Sequence, residues 1–189
     1  MKRIILASTS PRRKELLSKT GLNFETQDSA YEEDMTLNLE PGELAKYLSK
    51  GKAQAVADKN RDAVVIGADT FITFEEKVLG KPHTPEKARE TLQMLRGKSH
   101  TILTGFTIIE NEKVVSNVVE TKVHFRQLTD KEIDTYVASG EPLDKAGAYA
   151  IQGLGSELVD RIEGDYSNVV GLPVDDVMRV LEEFGVSPS

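Results

Sequence analysis

The segment Ile4-Ile5-Leu6-Ala7-Ser8-Thr9-Ser10-Pro11-Arg12-Arg13 combines an apolar run with a helix start that follows it directly. The run Ile4-Ile5-Leu6 predicts a buried strand. Ser10 is a favourable N-cap, and Pro11 takes the first helical position, where its missing N–H costs nothing. We expect the helix to continue to about Thr20 and Gly21 to end it. Such a unit presents free N–H groups and a positive dipole end above the sheet.

Arg12 and Arg13 follow in the first turn of this predicted helix, where the dipole disfavours further positive charge. Helices usually carry Asp or Glu at that place, so two arginines indicate that an anion is expected there. The alternative is a pair of solvated arginines that open an amphipathic helix. The segment alone therefore predicts a phosphate or carboxylate site.

The whole chain has the composition of a globular protein. Its 189 residues are 39% hydrophobic and 29% charged, which is enough to bury a core and too apolar for disorder. It contains no cysteine, so a disulfide framework and a thiolate metal site are both excluded. Because no repeat, low-complexity tract or linker-like region interrupts it, we expect a single domain over residues 1–189.

Charge and hydropathy limit the partners of the chain. A net charge of −7 argues against a broad nucleic-acid surface, which needs a basic face, but it allows an anionic small molecule where basic groups converge or a cation helps. No apolar run approaches the roughly 20 residues that span a bilayer, and the N-terminus lacks the apolar core of a signal peptide. We expect a cytoplasmic protein with no nucleic-acid or membrane partner, and a homodimer is the commonest oligomer.

Alternating strand and helix signals along the rest of the chain predict an α/β fold with flanking helices. We predict strands over 22–26, 63–66, 78–82, 100–109, 113–128 and 157–162. We predict helices from 41 to about 59, from 85 to before Gly97, from 130 to 139 and from 174 to before Gly185.

An acidic loop and the helix after it carry candidate ligand groups. Glu32 and Glu33 are adjacent in the loop, where such carboxylates are either solvated or bind a hard divalent cation. Lys52 follows Leu48 by four residues, which places it on or beside the apolar face of the predicted helix. Its side chain either extends to water along its stem or reaches a ligand at the edge of the core.

Asp69 stands at the end of the apolar strand in Ala63-Val64-Val65-Ile66-Gly67-Ala68-Asp69-Thr70. Ligands bind at the carboxyl ends of strands in open α/β sheets. The alternative is an Asp that begins a turn, but Phe71-Ile72-Thr73-Phe74 continues extended, so no turn is due. An ionisable residue within an apolar stretch needs a cation, a lysine or a substrate as partner. We therefore predict a functional role for Asp69.

Two later segments add polar groups beside an unusual backbone. Lys81 precedes a proline, which biases its backbone to extended geometry. Lys145 and Gln152 are surrounded by small residues, and glycines at 147, 153 and 155 permit close approach of a flat or charged ligand. The alternative is a flexible loop, but the apolar residues between the glycines favour an ordered backbone.

These signals together predict a site for a polyphosphate with Mg²⁺. The basic groups are Arg12, Arg13, Lys52, Lys81 and Lys145, and the carboxylates are Glu33 and Asp69. No P-loop and no Gly-x-Ser-x-Gly motif occurs. His83, His100 and His124 lack metal-ligand spacing, so we expect surface or strand residues there.

In this combination the sequence resembles the Maf-like nucleoside triphosphate pyrophosphatases. The matching pieces follow the family's order and cover nearly the whole chain. They are Leu6-Ala7-Ser8-Thr9-Ser10-Pro11-Arg12-Arg13, Glu32-Glu33, Lys52-Ala53, Gly67-Ala68-Asp69-Thr70, Gly80-Lys81-Pro82, Asp144-Lys145-Ala146-Gly147-Ala148-Tyr149, Ile151-Gln152-Gly153 and Val170-Gly171-Leu172-Pro173.

The resemblance implies a mixed α/β fold like that of the inosine triphosphatases, with an elongated sheet, flanking helices and two lobes around a cleft. It also implies hydrolysis of a nucleoside triphosphate to the monophosphate and pyrophosphate, with Mg²⁺ or Mn²⁺ as cofactor. Arg12, Thr70 and Gln152 are similar to the dTTP/UTP branch of the family rather than to its 7-methyl-GTP branch. Ala150 stands where glycine is usual in the family.

The resemblance further implies roles for single residues. Asp69 is the expected proton acceptor and, with Glu33, the expected metal ligand. Thr70 and Gln152 are expected to contact the pyrimidine edge. The full set of expected substrate-binding residues is Ser8, Arg12, Arg13, Lys52, Thr70, Lys81, Lys145 and Gln152.

Two other functions stay open at this point. One is a nucleotide-binding regulator of cell division with little or no turnover, because the family name is associated with septum formation. The other is pyrophosphatase activity on modified pyrimidine nucleotides, for which dTTP and UTP are proxies. A pyrophosphate-release assay across nucleotides, with and without Mg²⁺, separates the regulator from the enzymes, and competition kinetics separate the two substrates.

Overall fold

A computed structural model describes residues 2–34 and 36–187, and within these ranges it has a seven-stranded sheet and six α-helices. The strands are β1 (Arg3–Leu6), β2 (Glu25–Thr26), β3 (Ala63–Phe74), β4 (Lys77–Leu79), β5 (Ser99–Glu110), β6 (Lys113–Phe125) and β7 (Val159–Glu163). The helices are α1 (Pro11–Ser18), α2 (Pro41–Ala57), α3 (Pro85–Leu95), α4 (Asp130–Ala138), α5 (Tyr166–Val170) and α6 (Val174–Glu183). The strand order is β2-β1-β3-β5-β6-β7, and β4 pairs with β3. The predicted mixed α/β fold with flanking helices is therefore confirmed.

Several local predictions differ from the structure. The predicted strand over 22–26 shrinks to Glu25–Thr26, and the strand predicted over 78–82 is Lys77–Leu79. The short strand predicted over 63–66 and the extended backbone expected over 71–74 form one strand, Ala63–Phe74. Gly153–Leu158 forms 3₁₀ turns, so β7 begins two residues later than predicted. The five-residue helix α5 has no counterpart among the predicted elements.

By its internal contacts the chain divides into two compact units, and the single domain expected over 1–189 stays a prediction. The first unit comprises the described parts of 1–70, 103–119 and 167–189. In it β1 lies parallel to both β2 and β3, with Ile4 opposite Val64 and Ile5 opposite Val65. Because successive residues of a strand point to opposite faces, the apolar run of β1 serves both faces of the sheet.

Two buried clusters of the first unit lie on these opposite faces. One contains Ile4 and Ile66 together with Leu17 of α1 and Leu181 of α6. The other contains Ile5, Ala7 and Val65 together with Ala53 and Val56 of α2. Helices therefore cover the sheet on both sides, which is why β1 and β3 are continuous apolar runs.

Two glycines of the sheet determine how closely α2 approaches it. A Cβ on Gly67 of β3 would lie closer than 3.0 Å to Ser49 O and Ala53 N. A Cβ on Gly105 of β5 would lie equally close to the backbone of Ala45. Because no flexible side chain is there to move aside, only glycine permits this helix–sheet distance.

The second unit comprises 71–102 and 120–166. In it β3 continues antiparallel to β4, and β6 pairs antiparallel with β7. The helix α3 packs against α4, which begins with a capping box between Thr129 and Glu132. His100, Phe125 and Tyr149 form a buried cluster of edge-to-face rings. His100 lies in β5 and is 2% exposed. The prediction that it is a strand residue is therefore confirmed, and it is not a surface residue.

Among residues 2–34 and 36–187, no helix is both long enough and apolar enough to cross a bilayer.

Candidate active site

Three elements of the first unit bring Lys52, Asp69 and Glu33 together. Lys52 Nζ lies 2.6 Å from Glu33 Oε1 and donates a hydrogen bond to Asp69 Oδ1. The Lys52 and Asp69 side chains are 15% and 9% exposed, whereas Glu33 is 41% exposed. Of the two alternatives for Lys52, the structure shows the side chain at a polar site at the edge of the core rather than extended into water. Glu32, the neighbour of Glu33, is exposed.

Burial raises the pKa of the Asp69 carboxyl above its ordinary value, and the Lys52 ammonium opposes that rise. The Glu33 charge adds to the rise, while the Arg13 charge also opposes it. A carboxylate whose proton affinity is raised by burial is a stronger base than one in water. Asp69 therefore has the environment of a general base held in place by a lysine.

The loop that carries Glu33 reaches Lys52 because Tyr31 packs on α2. A Cβ on Gly51 would lie closer than 3.0 Å to the Tyr31 ring, so the ring occupies the space that a side chain would take. Glycine within a helix costs about 1 kcal/mol relative to alanine, and this contact is its physical reason. Tyr31 and Gly51 were not predicted, although a glycine in the middle of a predicted helix is a signal that its position needs a close contact.

Arg13 lies inside the unit rather than pointing outward from the first turn of α1. Its guanidinium donates to Gly171 O at 2.8 Å, to Ala68 O at 2.9 Å and to Thr70 Oγ1 at 3.0 Å. Two of these acceptors flank Asp69 in the chain. Arg13 therefore holds the backbone before the candidate base and the side-chain hydroxyl of the residue after it.

The hydroxyl of Thr70 has three protein partners. Besides Arg13, it lies 2.9 Å from Thr104 Oγ1 and donates to Gly171 O at 3.3 Å. Thr104 belongs to no local motif and was not predicted. A Cβ on Gly171, whose φ is +133°, would lie 3.7 Å from Arg13 Nε. Thr70 is thus held in one hydrogen-bonded position next to Asp69.

The turn between β1 and α1 has the geometry that the sequence predicts. Ser10 is the N-cap, and its hydroxyl accepts from Arg13 N at 3.4 Å. The Ser8 hydroxyl accepts from Ser10 N at 3.2 Å. Arg12 is exposed at the start of α1. These groups lie at the carboxyl end of β1, which pairs with β3 one strand away from Asp69.

The remaining candidates, Lys81, Lys145 and Gln152, belong to the second unit. Backbone hydrogen bonds from His83 N to Leu143 O and from Gly147 N to Gly80 O align the two lysine-bearing segments. Lys145 Nζ lies 2.8 Å from Asp144 Oδ1, and both lysines lower the pKa of that carboxyl. Both lysine charges therefore act on the Asp144 carboxylate.

Gln152 is exposed and follows Ile151, which is 8% exposed. Gly147 and Gly153 have positive φ values of +67° and +84°, which confirms the special backbone expected from the glycines of this segment. Ala150, at 7% exposed, is buried. The segment forms 3₁₀ turns on either side of Gln152, whose side chain is exposed.

Glu33 and Asp69 are the carboxylates of this site that suit a divalent cation. Glu33 and Asp69 each place a carboxylate oxygen at the same ammonium group, so the two oxygens converge on one point that already holds a positive charge. Within 2–34 and 36–187 no group of three or more His, Asp or Glu side chains suited to a metal occurs. Two carboxylates fit Mg²⁺, which is usually held by one or two carboxylates, substrate phosphates and water.

Comparison with known proteins agrees with the resemblance noted from the sequence. The family model described as Maf-like protein matches residues 3–184. Relatives called dTTP/UTP pyrophosphatase in Bacillus cereus (strain G9842) and Bacillus anthracis are each 50% identical over 186 residues, which is 98% of this chain and 97% of theirs. A solved Mycobacterium abscessus structure, described as a nucleoside-triphosphatase / dITP/XTP pyrophosphatase, covers 97% of both chains with 13% identity and a TM-score of 0.47. The chain therefore belongs to the Maf-like protein family.

Proposed function

We propose that this protein hydrolyses dTTP and UTP to the nucleoside monophosphate and pyrophosphate. The observation that carries the proposal is the buried Asp69 carboxylate, which is raised in pKa and held by Lys52 next to Glu33. The choice of substrate is supported by relatives named dTTP/UTP pyrophosphatase, which are 50% identical over nearly the whole chain. A base and an adjacent cation are the two groups that hydrolysis of a phosphoanhydride needs most.

In the proposed reaction a water molecule attacks the α-phosphorus. The new bond joins the water oxygen to that phosphorus, the bond from the α-phosphorus to the bridging oxygen breaks, and pyrophosphate leaves. Asp69 orients the water and takes its proton. Lys52 fixes the direction of the Asp69 carboxylate and offsets the charge that grows on the phosphoryl oxygens.

Glu33 and Asp69 are the residues that would hold a divalent cation, Mg²⁺ or Mn²⁺. A cation bound there would neutralise negative charge on the phosphate oxygens of the substrate. The chain contributes the position of the two carboxylates, which Lys52 keeps together by contacting both.

We propose substrate-binding roles for residues of each unit. In the first unit Ser8, Arg12 and the N-terminus of α1 bind phosphate oxygens, and Arg13 contributes positive charge while it holds the strand end. Thr70, fixed by Arg13, contributes to recognition of the base. In the second unit Lys81 and Lys145 supply further charge, and Gln152 contacts the edge of the pyrimidine through its amide.

The experiment that tests this function is a pyrophosphate-release assay on the purified full chain. It compares dTTP, UTP, CTP, dCTP, ATP and GTP, each with Mg²⁺ and with EDTA. We expect release from dTTP and UTP at rates at least ~10-fold above the others and loss of that release in EDTA. Tight dTTP binding without release would instead favour the nucleotide-binding regulator, and faster turnover of modified pyrimidine nucleotides would change the substrate.

A further inference from the structure

The carboxylate of Glu141 accepts three hydrogen bonds in the second unit. It accepts from Tyr136 Oη at 2.6 Å, from Gly155 N at 3.0 Å and from Leu154 N at 3.3 Å. Both of its oxygens are used. Three donors on one carboxylate hold the start of the Gly153–Leu158 turns in a single conformation, because each donor would otherwise lose its partner.

The Tyr136 hydroxyl links this carboxylate to the chain on the other side of Gln152. It donates to Glu141 and accepts from Ala150 N at 3.3 Å. Tyr136 is 5% exposed, so the hydroxyl has little access to water as an alternative partner. Burial and the Glu141 carboxylate both raise the pKa of the phenol, which therefore stays protonated and keeps donating.

Two glycines after Gln152 lie close to this pair. A Cβ on Gly155 would lie 2.2 Å from Ala150 O and 2.8 Å from Tyr136 Oη, so the Ala150 backbone leaves no room for a side chain there. A Cβ on Gly153 would lie 2.5 Å from Glu141 Oε1, and the φ of +84° at this residue also favours glycine. The two glycines thus permit the close approach of the segment to Glu141, Tyr136 and the Ala150 backbone.

Gln152 lies between two anchors, with Ala150 two residues before it and Leu154 two residues after it. Its own side chain is exposed. Such an arrangement fixes the backbone of a residue while it leaves the side chain available to a ligand. Backbone fixed before binding reduces the entropy lost when the ligand binds.

We propose that Glu141 and Tyr136 are positioning residues for base recognition: they hold segment 150–155 so that the Gln152 amide meets the edge of the pyrimidine. This proposal deepens the proposed function and rests on it. The pair does not touch the reacting phosphorus in this scheme. Its loss should therefore weaken binding and selectivity and leave the chemical step nearly unchanged.

The test compares steady-state kinetics of Glu141→Ala, Glu141→Gln and Tyr136→Phe with those of the wild type. For Glu141→Ala we expect KM for dTTP to rise at least ~10-fold and kcat to change less than ~3-fold. The preference for dTTP over dGTP, as a ratio of kcat/KM, should fall about tenfold. Glu141→Gln retains one acceptor and should restore part of the loss. Glu157→Gln removes an exposed charge from the same turns and serves as the matched control, with unchanged kinetics.

A double-mutant cycle with Gln152→Ala separates positioning from a general structural role. If Glu141 acts through Gln152, Glu141→Ala should cost no further selectivity once Gln152 is alanine. Additive losses, or a fall in kcat at unchanged KM, would overturn the proposal. A wild type that releases no pyrophosphate from any nucleotide would be a failure of the proposed function, seen before any variant is compared.

Amide hydrogen exchange gives a readout that does not depend on turnover. In Glu141→Ala the amides of Leu154 and Gly155 should exchange at least ~10-fold faster, while the helix α3 stays protected. Unchanged exchange at these amides would show that the pair does not hold the segment, and the proposal would be wrong whatever the kinetics. Tyr136→Phe removes the acceptor of the Ala150 amide instead, so faster exchange at Ala150 is the corresponding readout if Glu141→Ala fails to fold.

Discussion

The Arg13 guanidinium binds Thr70 Oγ1 at 3.0 Å, and with its other nitrogens it holds Ala68 O and Gly171 O. Ala68 and Thr70 are the two neighbours of Asp69, so one side chain holds the backbone before the candidate base and the side-chain hydroxyl of the residue after it. A planar fork with several donors can do this, whereas a single ammonium cannot.

Replacing Arg13 by lysine should therefore cost stability as well as activity. We expect the free energy of unfolding of Arg13→Lys to fall by about 2 kcal/mol, because at least one buried carbonyl loses its donor. Urea unfolding measures this. Arg12→Lys is the matched control, since Arg12 is exposed and its replacement should leave stability within about 0.5 kcal/mol of the wild type. Equal stability of the two variants would show that the Arg13 hydrogen bonds to Ala68, Thr70 and Gly171 do not stabilise the fold.

Removing the charge of Lys52 should shift the pH dependence of turnover. The Lys52 ammonium lowers the pKa of Asp69 against the rise caused by burial, so Lys52→Met raises that pKa further. A general base works only when deprotonated, and the acidic limb of the kcat/KM profile should move to higher pH, along with a loss of at least ~10-fold at the optimum. The profile measured from pH 5 to 9 checks this, and a shift to lower pH would contradict the assignment of Asp69 as base.

Gly67 permits the contact between β3 and α2 that places Lys52 at Asp69. We expect Gly67→Ala to destabilise the protein by about 1–3 kcal/mol, because the added methyl group meets backbone atoms of Ser49 and Ala53. Gly42→Ala, in α2, places its methyl group at ordinary contact distance from the Val118 side chain, 3.8 Å at the nearest, and should be neutral or slightly stabilising. Thermal unfolding of both variants measures the difference. A Gly67→Ala variant as stable as Gly42→Ala would show that this contact is looser than the structure has it.

Burial lowers the pKa of His100 from 6.5 to about 4, and the neighbouring His124 adds to that effect. The unfolded chain then binds more protons at this residue than the folded chain between pH 4 and pH 6.5. The free energy of unfolding therefore falls as pH decreases from 6.5 to 4, and His100 alone lowers it by up to about 3 kcal/mol.

The variant His100→Gln should lose this part of the pH dependence. We expect its free energy of unfolding to fall less between pH 7 and pH 4 than that of the wild type, as measured by urea unfolding at each pH. His83→Gln replaces an exposed histidine and should follow the wild type. If both variants show the wild-type slope, His100 does not titrate in the way that its burial requires.

Local signals were sufficient to predict the β1–α1 unit. An N-cap serine, a proline at the first helical position and an apolar run all act within a few residues, and the structure has each of them in place. Asp69 was identified for the same reason, because a carboxylate inside an apolar run stands out without knowledge of the fold.

The partners of these residues could not be predicted in the same way. Lys52 meets Glu33 and Asp69 across 19 and 17 residues of sequence, and the meeting depends on glycines at 51 and 67 that let Tyr31 and α2 come close. Thr70 was expected to face the base, and its hydroxyl bonds to Arg13 and Thr104 through tertiary packing alone.

The error at the start of β7 has a similar tertiary cause. Leu154 and Gly155 donate their N–H groups to the Glu141 carboxylate, so the chain forms 3₁₀ turns before it joins the sheet at Val159. Local propensity contains no information about an acceptor 13 residues away. The segment thus departs from prediction where it is held by the pair proposed to serve base recognition.

The role of Asp69 as the base in hydrolysis of a pyrimidine nucleoside triphosphate is tested by one comparison. Pyrophosphate release from dTTP with Mg²⁺ is measured for Asp69→Asn and for the wild type, with circular dichroism showing that both are folded. We expect a folded Asp69→Asn variant whose turnover is lowered at least ~100-fold, because a general base has been removed. If a folded variant releases pyrophosphate at a near-wild-type rate, Asp69 is not the base.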